Sequence, residues 1–262
     1  MSRSSHGIAY QMTGPDNAPV IALIHGIGMN RHIWRDYEPV LAQHYRVFSY
    51  DLPGHGESAP PSDPLSLNLL ANQLRNLMDE LDVHRCTVIG FSMGGMINRR
   101  FAMDYPERTD ALVILNSPHE RSPEAQQLVE DRVARTVEGG SAATMQTSLE
   151  RWFTPEFLST GAETVDEVRK WVLGTDPAAF AQSRQILAAG VRELVRPEPP
   201  ISVPTLVITC ENDRGSTPGM AQDIASDIAD ANILVVPGLQ HLGLLEQPAR
   251  FLGPMLKFLQ KC

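Results

Sequence analysis

The sequence predicts an α/β fold built on a parallel sheet with crossover helices, and three observations carry that prediction. Short apolar runs rich in β-branched residues alternate with stretches whose apolar residues recur at helical spacing. The alternation stops after Ser117-Pro118 and resumes at Thr205, with only helical patterns between. One strand-like run ends in a serine set between glycines and passes directly into a helical pattern.

Taken in order, Gly7 to Met12 reads as an opening strand and Thr13-Gly14-Pro15-Asp16-Asn17 as a turn. Val20 to His25 is a buried strand ending in the flexible loop His25-Gly26-Ile27-Gly28. Arg46 to Tyr50 is the next strand and runs into Asp51-Leu52-Pro53-Gly54-His55-Gly56-Glu57-Ser58. That loop has neither the lysine of a P-loop nor the three-glycine spacing of a dinucleotide site, so it argues against nucleotide binding. Asp51 and His55 within it, and His25 before it, are expected to fix loop geometry by local bonds to the backbone. Leu67 to Leu81 places Leu70, Leu74, Leu77, Met78 and Leu81 on one helical face and leads into the strand at Cys86. A helix from Met96 to Tyr105 and a strand from Ala111 to Asn116 follow.

The interruption reads as four helical stretches, around residues 127–137, 142–152, 165–173 and 178–193. Its end is marked by Pro197-Glu198-Pro199-Pro200 and Pro204. Residues 1–118 and 201–262 are therefore expected to form a sheet-bearing core, with 119–200 as a helical cap inserted into it. Trp152, Trp171, Phe153, Phe157 and Phe180 concentrate in the insert. Most should form its own small core, and a minority, with Trp152 as the substrate-contacting candidate, should face the site as an apolar roof that excludes water. After the insert come a strand Thr205 to Cys210, a helix over 219–228, a strand Asn232 to Val236 and a final helix reaching Gln260.

Gly90-Phe91-Ser92-Met93-Gly94 has a steric logic. A serine on a turn this sharp leaves no room for side chains two positions away, so glycine is favoured on both sides. The turn lifts the Ser92 hydroxyl out of the sheet, and the amide of Met93 at the start of the next helix points at the same spot. The amide of Ile27 supplies a second oxyanion donor if its loop folds over that turn. Asp213 and His241 both lie just beyond the carboxyl ends of late strands, as Ser92 does, and in an open parallel sheet those ends share one rim. A serine hydroxyl needs a base to take its proton, and the base needs a carboxylate to fix its tautomer. Ser92, His241 and Asp213 are thus the candidate nucleophile, base and acid. Asn116, after the preceding strand, carries no charge to serve as the acid.

A formal charge of −9 over 262 residues, with no lysine- or arginine-rich block, argues against nucleic acid or an anionic membrane as partner. The first residues have no apolar signal core and no run approaches a membrane span, so the cytoplasm is the default location. Cys86, Cys210 and Cys262 lack metal or redox spacing and read as reduced thiols, two in the core and one at the tail. A homodimer is compatible with the composition.

His25-Gly26-Ile27-Gly28, Asp51 to Ser58, Gly90 to Gly95, Asp213 with Pro218, and His241 with Glu246-Gln247-Pro248 together resemble the α/β-hydrolase superfamily over essentially the whole chain. The resemblance implies a mostly parallel sheet of eight strands with helices on both faces. It also implies Ser92 as nucleophile, His241 as base, Asp213 as acid and the Ile27 and Met93 amides as oxyanion hole, with no metal and no organic cofactor. Within the superfamily, Arg151-Trp152-Phe153-Thr154-Pro155-Glu156-Phe157, Gly174 to Phe180 and the segment from His241 to Pro248 are similar to 3-oxoadipate enol-lactonases. The expected activity is hydrolysis of a small carboxylic ester or lactone. The alternatives are a hydrolase of carbon–carbon bonds in ring-fission products and a ligand-binding receptor on the same fold. An anionic lactone would require at least one of the insert's arginines, Arg121, Arg132, Arg135, Arg151, Arg169, Arg184, Arg192 or Arg196, to turn inward.

Overall fold

A computed structural model describes residues 2–262. Its sheet begins with β1 (Ser2–Arg3), β2 (Ala9–Thr13) and β3 (Val20–Ile24), followed by the short helix α1 (Glu38–Leu41) and β4 (Arg46–Tyr50). The helix α2 (Leu67–Glu80) leads to β5 (Cys86–Phe91), α3 (Met93–Asp104) and β6 (Thr109–Leu115). Among the described residues the eight strands lie in the order β1-β2-β4-β3-β5-β6-β7-β8, where β7 is Thr205–Cys210 and β8 is Ala231–Val236. Only the pairings of β2 are antiparallel; every pairing from β4 to β8 is parallel.

β5 and β7 are buried at every position, as is β3 from Ile21 to Ile24, as a sheet covered on both faces requires. α2 covers part of it. Leu67, Leu70, Ala71, Leu74, Leu77 and Met78 are buried at helical spacing, and the Ser66 hydroxyl caps the first turn by accepting from the Leu69 amide. β3 and β5 are neighbours, yet the chain leaves β3 toward β4 on one side and returns to β5 on the other. Loops at such a reversal splay apart and leave a crevice at the carboxyl ends of the strands. The His25 loop and Ser92 emerge there.

Between β6 and β7 the chain forms α4 (Pro123–Gly139), α5 (Met145–Trp152), α6 (Pro155–Thr160), α7 (Ala162–Gly174) and α8 (Pro177–Ala189), with no strand among the described residues of 119–200. Ser122-Pro123, Thr154-Pro155 and Asp176-Pro177 each start a helix in the same way. The side chain before proline accepts an amide of the first turn, and proline fills a position whose N–H would be unpaired. This capping starts the first insert helix at Pro123 rather than near residue 127, and it nucleates α6, a helix that its short apolar content does not announce. The expected stretch 178–193 divides into α8 and a 3₁₀ turn, Gly190–Leu194. After β7 come α9 (Pro218–Ser226), then β8, α10 (Gly243–Glu246) and α11 (Ala249–Leu259). Cys86 and Cys210 are buried free thiols and Cys262 is exposed. No helix among the described residues is long and apolar enough to cross a membrane.

The loop after β4 is held by Asp51, which is fully buried. Its carboxylate accepts from the amides of Arg31 (2.7 Å) and Glu57 (2.9 Å) and pairs with the Arg31 guanidinium, which also reaches Glu57. Breaking a buried ion pair by removing one partner costs roughly 3–5 kcal/mol, a ceiling here because Glu57 still faces the Arg31 guanidinium. Asp51→Asn is expected to lose up to about that much in a urea unfolding experiment while the folded fraction keeps its turnover within a few-fold. A variant of normal stability but absent turnover would move Asp51 into the chemistry.

Two histidines beside this loop make stability depend on pH. His25 donates from Nδ1 to the Gly26 carbonyl (2.7 Å) and accepts the Leu52 amide at Nε2 (2.9 Å), while His55 donates from Nδ1 to the Pro53 carbonyl (3.0 Å). Burial lowers their pKa values from 6.5 to about 4 for His25 and about 3 for His55, and the His25 charge opposes protonation of His55 further. Both are therefore neutral when folded but titrate near 6.5 when unfolded. Their contribution is complete above that value and is lost as pH falls from about 6.5 toward 4, at on the order of 1.4 kcal/mol per pH unit for each histidine. Urea midpoints measured between pH 7 and 4.5 should fall accordingly; a flat profile down to pH 5 would contradict the assignment.

Candidate active site

Ser92 sits at φ 55° and ψ −111°, a conformation a side chain rarely adopts, and the turn around it has no spare volume. A Cβ on Gly90 would lie 2.1 Å from the Gly94 carbonyl oxygen, and one on Gly94 would lie 2.3 Å from that of Ile24. Both positions therefore demand glycine. The turn is tied to the sheet by the Ser92 amide, which donates to the Leu115 carbonyl at 2.8 Å. A serine at a helix N-cap usually spends its hydroxyl on the helix. Here it makes no capping bond. It points across to His241, with Oγ 3.1 Å from Nε2.

His241 lies in the loop between β8 and α10, and its Nδ1 is 2.6 Å from Asp213 Oδ2. Asp213, in the loop after β7, is 2% exposed and accepts four N–H bonds. Oδ2 takes those of His241 and Asn116 Nδ2 (2.8 Å), and Oδ1 those of the Gly215 (2.8 Å) and Ser216 (3.0 Å) amides. Burial alone would push its pKa up, but the His241 charge and these bonds outweigh burial and hold the carboxyl below the ordinary aspartate value. An ionised Asp213 accepts Nδ1–H, which leaves Nε2 free to accept the Ser92 proton. The Phe91 ring lies against the imidazole with centroids 5.0 Å apart.

Asn116 is the residue that sequence reasoning underrated. Without charge it cannot be the acid, yet its amide donates to the candidate, Asp213. The available signal was its place directly after β6, on the same rim. A left-handed φ of 46° turns its amide toward Asp213.

The loop at Gly26 crosses directly over the turn, since a Cβ there would touch the Phe91 ring and Ser92 Cβ at 3.0 Å. Ile27 lines the cavity above Ser92, and Met93 is buried at the head of α3. Among the described residues no acceptor takes the amide N–H of either. Trp152 lines the same cavity, 7% exposed, while Phe153 and Phe157 stack on each other with centroids 5.3 Å apart. The helical segment is pinned close to His241: the Leu242 amide donates to the Trp152 carbonyl (2.8 Å), and the Thr154 amide and hydroxyl donate to Glu246 (2.9 and 2.6 Å). The cavity is small, about 70 Å³. A broader groove of about 1000 Å³ runs outside it past Phe157 and Gln240, and neither Ser92 nor His241 lines that groove. Of the insert's arginines, Arg121, Arg132, Arg151 and Arg184 line the inner cavity; Arg169 and Arg196 pair outside it with Asp166 and Glu120. No group of three or more His, Cys, Asp or Glu stands ready for a metal among the described residues.

A serine, a histidine and an ionised carboxylate in hydrogen-bond sequence at the carboxyl rim of a parallel sheet define a class of hydrolytic enzymes. The chain belongs to the alpha/beta hydrolase fold family, whose model matches residues 19–248. Among curated proteins it is 28% identical over 243 residues to 3-oxoadipate enol-lactonase 2 of Acinetobacter baylyi, covering 92% of this chain and 89% of that one. It is 24% identical to the (E)-2-((N-methylformamido)methylene)succinate hydrolase of the same organism, over 98% of this chain and 96% of that one. Among solved structures the enol-lactonase from Burkholderia xenovorans LB400 superposes with a TM-score of 0.88 at 27% identity, over 97% of this chain and 96% of that one. The chain is a hydrolytic enzyme with enol-lactonase-like resemblance.

Proposed function

We propose that the enzyme hydrolyses a small carboxylic ester or lactone, that Ser92, His241 and Asp213 are its nucleophile, base and acid, and that residues 119–200 act as a cap over them. The observation that carries the reading is the continuous line of hydrogen bonds from Asp213 through His241 to Ser92 Oγ at the floor of an enclosed cavity. As Ser92 Oγ attacks the carbonyl carbon, its proton passes to His241 Nε2 and the carbonyl oxygen gains the negative charge. The free amides of Ile27 and Met93 receive that oxyanion; in enzymes of this kind one such donor is worth roughly 10²–10³ in kcat. Collapse of the tetrahedral intermediate breaks the bond to the leaving oxygen, which takes the proton from His241. In a lactone that oxygen stays tethered to the acyl group. Water then gives a proton to His241 as its oxygen attacks the acyl carbon, and Ser92 leaves with that proton restored.

Trp152 supplies an apolar wall for the acyl chain, and the inward arginines suit a substrate that keeps a carboxylate outside the reaction. The lactone named for the curated relatives, derived from a dicarboxylic acid, fits that description. An organophosphorus fluoridate is expected to label Ser92 stoichiometrically and to abolish hydrolysis of both p-nitrophenyl esters and lactones. Peptide mass spectrometry locates the label. Full labelling with turnover intact, or a label on another residue, would overturn the reading.

A further inference from the structure

The cavity over Ser92 carries more positive charge than one carboxylate can use. Arg121 reaches it from just before α4, Arg132 from α4, Arg151 from α5 and Arg184 from α8. The single carboxylate in the cavity lining is Asp213, and its oxygens are occupied by His241, Asn116, Gly215 and Ser216. Among the described residues none of the four arginines forms an ion pair. Arg184 is only 8% exposed; its guanidinium lies over the Phe180 ring, and its Nε has no hydrogen-bond partner. Arg121 reaches the Leu187 carbonyl (3.2 Å) and Gln126 (3.4 Å), both neutral.

These guanidiniums also disturb one another. Burial brings Arg121, Arg151 and Arg184 down to about 10, and Arg132 repels all three, with Arg151 adding to the repulsion on Arg184. Buried like charges are unfavourable unless something compensates them. Asp213 partly offsets the charge of Arg151, and among the described residues no other acidic side chain lines the cavity.

We propose that this cluster is a polyanion site and that the substrate carries at least two carboxylates in addition to the ester or lactone that reacts. One carboxylate, with Asp213 counted, leaves the cavity lining with a surplus of two positive charges; a second brings it close to balance. Guanidiniums arriving from separate helices suit two separated planar groups, since each carboxylate can accept a forked pair of N–H bonds. The inference rests on the proposed function only in placing the reacting acyl group at Ser92.

Product-like acids test it without turnover. Calorimetric titration of the full-length enzyme with butyrate, glutarate and tricarballylate adds one further carboxylate at each step. The expected result is a Kd for tricarballylate at least tenfold below that for glutarate, with butyrate weaker than both. Arg132→Gln and Arg184→Gln are each expected to raise the tricarballylate Kd at least tenfold, whereas Arg169→Gln, outside the cavity, leaves it unchanged. Both cavity variants should melt no lower than the parent in the absence of ligand, because Arg184→Gln removes a buried charge and Arg132→Gln a half-buried one, neither held in an ion pair; if one fails to fold, the other decides. Tricarballylate binding no tighter than glutarate, or insensitive to both arginines, overturns the proposal. Inorganic phosphate binding as tightly and with the same arginine dependence overturns the assignment to carboxylates. Hydrolysis of a neutral p-nitrophenyl ester by Ser92→Ala, measured in parallel, reports on the proposed function alone: either reading can fail while the other stands.

Discussion

Replacing Ser92 by alanine is expected to leave a folded enzyme with essentially no hydrolysis, a loss on the order of 10⁶-fold in kcat by the protease precedent. In the proposed mechanism the hydroxyl is a reactant, and it makes no bond that the fold depends on: it caps no helix, and its contact is His241 Nε2. The strained backbone at φ 55° is already occupied by a residue with a Cβ, so alanine adds no new strain. The melting midpoint should therefore stay within a degree or two of the parent while initial rates on a p-nitrophenyl ester and on a lactone fall to background. Substantial turnover by the folded variant would remove Ser92 from the mechanism.

Asp213→Asn is expected to reduce kcat by about 10⁴-fold with the fold retained. The carboxylate accepts four N–H groups, two at each oxygen, and an amide can accept at only one of its two ends. If the asparagine oxygen serves the Gly215 and Ser216 amides, its NH₂ faces His241 and drives the imidazole to carry its proton on Nε2. That tautomer has nothing to accept the Ser92 proton with. If the oxygen instead faces His241, two backbone donors meet an NH₂ group. Either arrangement impairs the base, and the pH–rate profile distinguishes this loss from general destabilisation. A loss under tenfold would mean that another group orients His241.

These two variants address residues more than 100 positions apart, and the sequence already placed them together. It could do so because the argument needed only local signals. Gly90 and Gly94 mark the sharp turn, short apolar runs mark buried parallel strands, and residues just past the ends of such strands share a rim whatever the intervening chain does. Helix starts were less well read: apolar spacing put the first insert helix near residue 127 and passed over α6, whereas Ser122-Pro123 and Thr154-Pro155 set those starts through bonds within one turn.

The sequence by itself therefore determined the succession of strands from β2 to β8, the strained serine turn and the loops that bring Asp213 and His241 to it. Only the tertiary structure decided what surrounds them. Asn116 becomes a donor to Asp213 because a left-handed backbone and the packing of β6 against β7 aim its amide there, which no spacing records. Eight arginines in the insert look alike along the chain, most of them on helical patterns that would serve equally well in solvent. Arg132, Arg151 and Arg184 face the cavity because of how α4, α5 and α8 rotate and pack over the sheet, and Arg121 joins them from the loop before α4. Helix rotation is set by long-range contacts among apolar side chains, so the charge inside the cavity follows from packing rather than from any local signal.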